Sequence, residues 1–102
     1  MKDNLSQVIV NIEAQKAEPS AYDIINRAVF YVSRMISSQK GREFVNSNYN
    51  DIKRVYSIWV CMNMSQNCMN YIHFTQESVV GTYQWKGDID LANIVLIGLA
   101  ED

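Results

Sequence analysis

Residues 7–15 read QVIVNIEAQ, and this stretch decides how the rest of the chain is interpreted. Its side chains form two sets that alternate with a period of two, one apolar and one that becomes polar toward the C-terminal end, which is typical of a β-strand. The apolar face consists of Val8, Val10, Ile12 and Ala14, and the other face consists of Ile9, Asn11, Glu13 and Gln15. The pattern therefore predicts a strand that presents Glu13 and Gln15 side by side near its C-terminal end.

A helix pattern follows this strand. Pro19, Ser20 and then Asp23 approach a capping box, a common start of a helix. Apolar residues then recur every three or four positions, which predicts one buried stripe along residues 20–39. A helix of that length spans about 30 Å, and Gly41 is a suitable residue to end it.

Four later segments have strand character. Residues 42–51 are polar and indicate a loop or a short helical turn. Residues 54–62 (RVYSIWVCM) are apolar on both faces, which predicts a central strand covered on both sides. Residues 69–76 and 79–85 predict two more strands. Residues 92–99 are an apolar run that suits a strand or a helix end, and its β-branched residues favour a strand.

The order of these elements predicts an α/β fold. A strand, a long helix and a core strand form a βαβ unit, whose right-handed crossover makes its two strands parallel. The 102 residues suffice for one domain with one core. We therefore expect a single domain over residues 1–102, with a mixed sheet of about five strands and one long crossover helix.

Composition narrows the class of protein. Hydrophobic residues make up 48% and charged residues 20%, which is typical of a folded domain. The net charge of −2 gives no global basic surface for nucleic acid. The sequence has neither a signal-peptide pattern nor an apolar run of membrane-spanning length. With only two cysteines, Cys61 and Cys68, we expect a cytoplasmic protein with no membrane partner.

The pair Glu13 and Gln15 is the first candidate site. A carboxylate next to a carboxamide, together with the backbone carbonyl of Ala14, offers oxygen ligands to a hard cation. The same pattern also occurs on the polar face of any half-buried strand, so both interpretations stay open.

Arg27, Tyr31 and Arg34 are the second candidate site. They are spaced four and three residues apart and therefore lie along one line of the predicted helix. Two guanidinium groups and a phenol in a row suit a nucleic-acid backbone, although an ordinary solvated helix face has the same composition.

Other chemistries find little support. His73 has no metal-ligand spacing to either cysteine. The serines of the helix have no histidine partner in a recognisable arrangement, and there is no glycine-rich phosphate loop. Trp59 and Trp85 are both predicted to lie in the core.

Three segments together resemble a known superfamily: VIVNIEAQ (8–15), NRAVFYVSRMISSQKG (26–41) and IKRVYSIWVCMN (52–63). They are similar to bacterial PD-(D/E)XK nucleases, in the group called PD-(D/E)XK nuclease family transposases, related to recombination-promoting nucleases. The resemblance covers residues 8–99. It implies a restriction-endonuclease-like core and Mg²⁺-dependent cleavage of DNA.

The resemblance also assigns roles. Glu13 falls on the second acid of the motif and would bind the metal, while Gln15 falls on the position usually held by lysine. Glutamine there removes a cation that would stabilise developing charge. Arg27 and Tyr31 fall on the helix that flanks the site, and Gln39 lies in a matching SSQ block without an assigned role.

One element of the family pattern is not found. The first acid should lie on a strand before Val8, and Asp3 does not fit, because a hairpin opposing Asp3 and Glu13 would turn in the middle of the strand. We therefore expect the downstream part of a nuclease core, either a cloned fragment or a truncated gene product. Its activity should be weak or absent, and its first strand should have an edge open to a second copy. The alternatives are a non-catalytic interaction or self-associating domain, and a plain α/β domain in which the Glu13 and Gln15 pair is coincidental.

Overall fold

The computed structural model describes residues 8–42 and 45–101. Its elements are β1 (Val8–Gln15), α1 (Ile24–Ser37), a 3₁₀ turn (Tyr49–Asp51), β2 (Arg54–Met64), β3 (Cys68–His73) and β4 (Ala92–Ala100). The strand order is β1-β2-β4-β3, with β3 alone antiparallel to its neighbour. The described chain is therefore an α/β fold with a mixed four-stranded sheet. Asp3 lies outside the described residues.

The predicted crossover is confirmed. β1 and β2 are parallel, in a register that runs from Val8 opposite Arg54 to Gln15 opposite Cys61. β2 also pairs in parallel with β4 and is therefore a central strand, whereas β1 is an edge strand of the described sheet. The central position predicted for β2 is therefore confirmed, because it has a strand on each side.

The helix is shorter than the sequence predicts. It begins at Ile24, because Asp23 at the N-cap has extended backbone (φ −83°, ψ 127°), so the expected start at residue 20 is wrong by about one turn. The Asp23 carbonyl accepts the first helical bond, from Asn26 N–H at 3.0 Å. The helix ends at Ser37 and its C-cap is Ser38, so the prediction that Gly41 ends the helix is wrong, although Gly41 has a positive φ of 88° three residues further on.

The core lies between α1 and one face of the sheet. Ala28 and Val32 of the helix pack there against side chains of β2 and β4. Trp59 is fully buried at its centre, which confirms its predicted core position. The buried sheet residues of this cluster are Val55, Trp59, Ala92 and Ile94.

Gln39 joins the end of the helix to the start of β2. Its side-chain oxygen accepts a bond from Lys53 N–H at 2.8 Å, and its amide donates to the Lys53 carbonyl at 3.1 Å. The amide also lies 3.4 Å from the Met35 carbonyl, and the side chain is only 1% exposed. Gln39, to which the sequence assigns no role, therefore fixes the end of α1 relative to the sheet.

The opposite face of the sheet is not covered by a helix in the described part of the chain. Along β2, buried residues alternate with half-buried ones, and only the buried set lies on the side of α1. The prediction of a strand covered on both sides is therefore wrong for these residues. The apolar face of β1 lies on this open side, where Val10 is 54% and Ile12 66% exposed.

The predicted strand at residues 79–85 is not formed. Val79 and Val80 are 88% and 93% exposed, and Gly81 has a positive φ of 76° that interrupts an extended backbone. In the described sheet, β4 pairs with β2 on one side and with β3 on the other, so this segment cannot pair with β4. Trp85 is 75% exposed and not a core residue. The strand predicted at residues 92–99 is confirmed as β4.

Among the described residues, no helix has the length and apolar character that crossing a bilayer requires.

Candidate functional site

Glu13 and Gln15 lie on the same face of β1, as the alternation predicts. Their register partners on β2 are Trp59 and Cys61, both buried, so this face of β1 lies on the side of the sheet that carries α1. Both side chains are half-buried. A carboxylate and a carboxamide therefore lie on one face at the edge of the sheet, each partly screened from water.

A chain of hydrogen bonds connects Glu13 to the core. Trp59 donates from its indole nitrogen to Ser57 Oγ at 2.8 Å, and Ser57 Oγ donates to Asn11 Oδ1 at 3.4 Å. Asn11 in turn donates from Nδ2 to Glu13 Oε2 at 3.3 Å. Since Ser57 and Trp59 are fully buried, this chain fixes the orientation of Asn11 and occupies one oxygen of the Glu13 carboxylate.

Sequence reasoning placed Asn11 on the correct face but missed Ser57. The signal for Ser57 is its position: it is a small hydroxyl residue two positions before Trp59, on a strand that is otherwise apolar on that face. Buried hydroxyl groups need partners, so an alternating apolar strand with one serine indicates a specific polar contact.

Arg27 lies among three aromatic rings. Its guanidinium carbon is 5.2 Å from the ring centres of both Tyr31 and Trp59 and 5.6 Å from that of Tyr22. It donates hydrogen bonds to the Tyr22 hydroxyl and, at 3.2 Å, to the Tyr31 hydroxyl. The bond to Tyr31, then that to Tyr22, raise the pKa of Arg27 above its usual value. A permanently charged group is thus held over Trp59, the register partner of Glu13.

A groove runs between α1 and the edge strand. It has a volume of about 320 Å³, and it is lined by Asn11, Tyr31, Arg34, Met35 and Ser38. Tyr31 and Arg34, predicted as one line on the helix, therefore meet the polar face of β1 in one groove. Amide, phenol and guanidinium groups are all donors to phosphate oxygens.

The fit of a magnesium ion to this site is partial. Mg²⁺ is usually held by one or two carboxylates together with water and substrate phosphates. In residues 8–42 and 45–101, no three His, Cys, Asp or Glu side chains are close enough to hold a metal. The candidate site therefore offers one carboxylate, from Glu13, and the adjacent backbone carbonyl of Ala14. These two groups would supply only some of the oxygen ligands that a magnesium ion needs.

The other polar candidates have structural partners. His73 stacks on Tyr71 with ring centres 4.5 Å apart. Tyr71 donates to the buried Asn93, which itself donates to the Asp90 carbonyl at 2.8 Å and the Val55 carbonyl at 3.3 Å. These contacts connect β3 and β4 to the start of β2, as expected for structural residues.

Comparison with protein-family models, with curated proteins and with solved structures gave no match.

Proposed function

We propose that this chain is a module of a metal-dependent DNA phosphodiester hydrolase of the PD-(D/E)XK type. One observation carries the proposal: Glu13 and Gln15 share a face of an edge strand that a parallel crossover joins to the central strand. The helix of that crossover carries Arg27, Tyr31 and Arg34. An acid next to a polar residue, beside a line of phosphate donors, is part of the arrangement that the resemblance implies.

Each residue has a distinct role in this proposal. Glu13 binds Mg²⁺ through its carboxylate, with the Ala14 carbonyl as a second ligand, and Gln15 orients a water molecule or a phosphate oxygen. When bound, the metal supplies an activated water and neutralises charge on the phosphate. Arg27, Tyr31 and Arg34 contact the nucleic-acid backbone, and Asn11, which lines the groove, restrains the Glu13 carboxylate through its hydrogen bond.

The module supplies one carboxylate, so we propose that it forms half of a site. The open edge of β1 is where a strand with a second acid would pair, since an unpaired edge accepts a further strand through its backbone groups. With Glu13 alone we expect weak metal binding and little or no cleavage. Binding of DNA is therefore the more informative measurement.

The test is DNA binding at low ionic strength, with and without Mg²⁺. Wild type should bind duplex DNA more tightly when Mg²⁺ is present, and Glu13→Gln should lose this increase while it keeps the metal-free affinity. Glu18→Gln, which removes a carboxylate outside the strand, is the matched control and should behave as wild type. An equal response to Mg²⁺ in wild type and Glu13→Gln would refute the proposed role of Glu13.

A second function is favoured by the open face of the sheet: that of a non-catalytic, self-associating domain. Val10 and Ile12 are 54% and 66% exposed on that face of β1, and Met69 is 70% exposed on the same face at the other edge of the sheet. Exposed apolar surface of this kind commonly marks an interaction site. The edge of β1 offers a second way to form a homodimer, by strand pairing. Sedimentation separates the two functions, because self-association of this kind is independent of Mg²⁺ and DNA.

A further inference from the structure

A second cavity lies at the C-terminal ends of the parallel strands, where α/β folds commonly place ligands. Its volume is about 380 Å³, and three of its lining residues carry sulfur: Cys61, Met64 and Cys68. The N-terminal turn of α1 forms another wall, and Gly98 of β4 lies at its base. This cavity has no part in the function proposed above.

Gly98 lies between the two cysteines. On β4 it is the register partner of Cys61 in the parallel ladder with β2, and of Cys68 in the antiparallel ladder with β3. Side chains of register partners lie on the same face, so both thiols flank the one residue that has no side chain. Since neighbouring strands are about 4.8 Å apart, the two cysteine Cα atoms are about 10 Å apart.

That separation excludes a direct disulfide, which needs Cα atoms within about 7 Å of each other. Both cysteines are free thiols in the structure. A disulfide does not explain their placement in one cavity, whereas an ion held by both thiols would.

The missing side chain of Gly98 lets two sulfur-bearing side chains come together over β4. A Cβ placed on Gly98 would be 2.7 Å from Cys68 Sγ, 3.2 Å from Met64 Cγ and 3.5 Å from Met64 Cε. The Met64 sulfur is bonded to both of those carbons, so the thioether and the Cys68 thiol converge over the glycine. Cys61, only 6% exposed, borders the same space from the opposite strand.

We propose that Cys61, Met64 and Cys68 form a binding site for a soft monovalent metal ion, Cu(I), above Gly98. Thiolate and thioether ligands select Cu(I), whereas hard cations such as Mg²⁺ prefer oxygen. Structural zinc sites take four ligands, mostly cysteine and histidine, and this cluster offers two cysteines and a thioether. Binding displaces one proton from each thiol to solvent and changes no oxidation state, because the ion enters and remains as Cu(I).

The experiment is an anaerobic titration of the reduced chain with Cu(I), in competition with a coloured Cu(I) chelator. We expect one equivalent to bind, with a thiolate-to-copper absorption in the near ultraviolet. Cys61→Ser and Cys68→Ser should each weaken binding by at least about tenfold, a change of about 1.4 kcal/mol. Failure of wild type to compete with the chelator, or unchanged affinity in both serine variants, would overturn the proposal.

Variants that keep both cysteines test whether the metal binds at this site or at any exposed thiol. Met64→Leu keeps the volume but removes the thioether and should weaken binding, while Met69→Leu on the opposite face of the sheet should not. Gly98→Ala keeps all three sulfur atoms but fills the space between them, so it should also lose affinity while far-ultraviolet circular dichroism shows a retained fold. If Met64→Leu and Gly98→Ala both bind as wild type does, the metal lies elsewhere and the proposed site is wrong.

Discussion

Asn11 donates a hydrogen bond to the Glu13 carboxylate at 3.3 Å, and Asn11 is itself held by Ser57 from the neighbouring strand. The proposed metal ligand is therefore oriented by a chain of contacts that begins at a buried indole. Surface carboxylates usually rotate freely, and this one is restrained on one side. This arrangement distinguishes Glu13 from an ordinary acid on a strand edge.

Replacing Ser57 with alanine should destabilise the fold. The change leaves the indole N–H of Trp59 buried without a partner, which typically costs about 1–3 kcal/mol. Urea denaturation followed by tryptophan fluorescence measures the loss. Ser33→Ala on the exposed face of α1 is the control and should leave stability unchanged or slightly higher, because alanine favours helix. Equal stabilities of the two variants would show that the Ser57 contact contributes nothing.

Gln39→Leu should also destabilise the fold, since it removes the two hydrogen bonds that the buried Gln39 amide makes with the Lys53 backbone. We expect a loss of about 1–3 kcal/mol in the free energy of unfolding, measured by chemical denaturation. Gln84→Leu, at an exposed position, provides the comparison and should be near neutral. A Gln39 variant as stable as wild type would mean that the helix end is held by other contacts.

The two cysteines should differ in reactivity. Burial is the main cause that raises the pKa of the Cys61 thiol above its ordinary value, so its thiolate is scarce at neutral pH. Cys68, which is more exposed, should therefore react first with iodoacetamide near pH 7.5. The rate at Cys61 should continue to rise as the pH increases beyond 9, because deprotonation occurs at higher pH than usual. Peptide mass spectrometry measures both rates, and faster labelling of Cys61 would contradict the burial argument.

Arg27→Lys should weaken DNA binding although it keeps the charge. Lysine cannot reproduce the planar contacts that Arg27 makes with the rings of Tyr31 and Trp59 or donate in the same geometry. Arg27→Ala should in addition make the slope of log affinity against log salt concentration shallower by about one unit, because one phosphate contact is lost. Fluorescence anisotropy at several salt concentrations measures both effects, with Lys86→Ala, at an exposed position between β3 and β4, as control. If Lys86→Ala reduces affinity as much as Arg27→Ala, the helix line is not the DNA-binding surface.

Local patterns predict the part of the fold that positions the candidate site. The alternation of residues 8–15 and the apolar run of β2 are properties of short segments, so β1, β2 and their parallel crossover follow from sequence. The shared face of Glu13 and Gln15 follows from the same alternation.

Other features depend on contacts between distant segments. The bond from Gln39 to Lys53 and the one from Ser57 to Asn11 join residues 14 and 46 positions apart, and no local pattern predicts them. The segment at residues 79–85 has strand composition but no partner strand, so its propensity is not realised. The capping pattern predicts a helix start at Ser20, whereas the extended backbone of Asp23 sets the actual start at Ile24.

The most direct test of the central claim is a titration with Mn²⁺, a paramagnetic substitute for Mg²⁺, followed by nuclear magnetic resonance of side-chain amides. We predict that the signals of Asn11 and Gln15 broaden first, well before those of the buried Gln39 and Asn93, and that Glu13→Gln removes this selective effect. Broadening that is no greater at Asn11 and Gln15 than at Gln39 and Asn93, or that persists unchanged in Glu13→Gln, would contradict a metal site at Glu13.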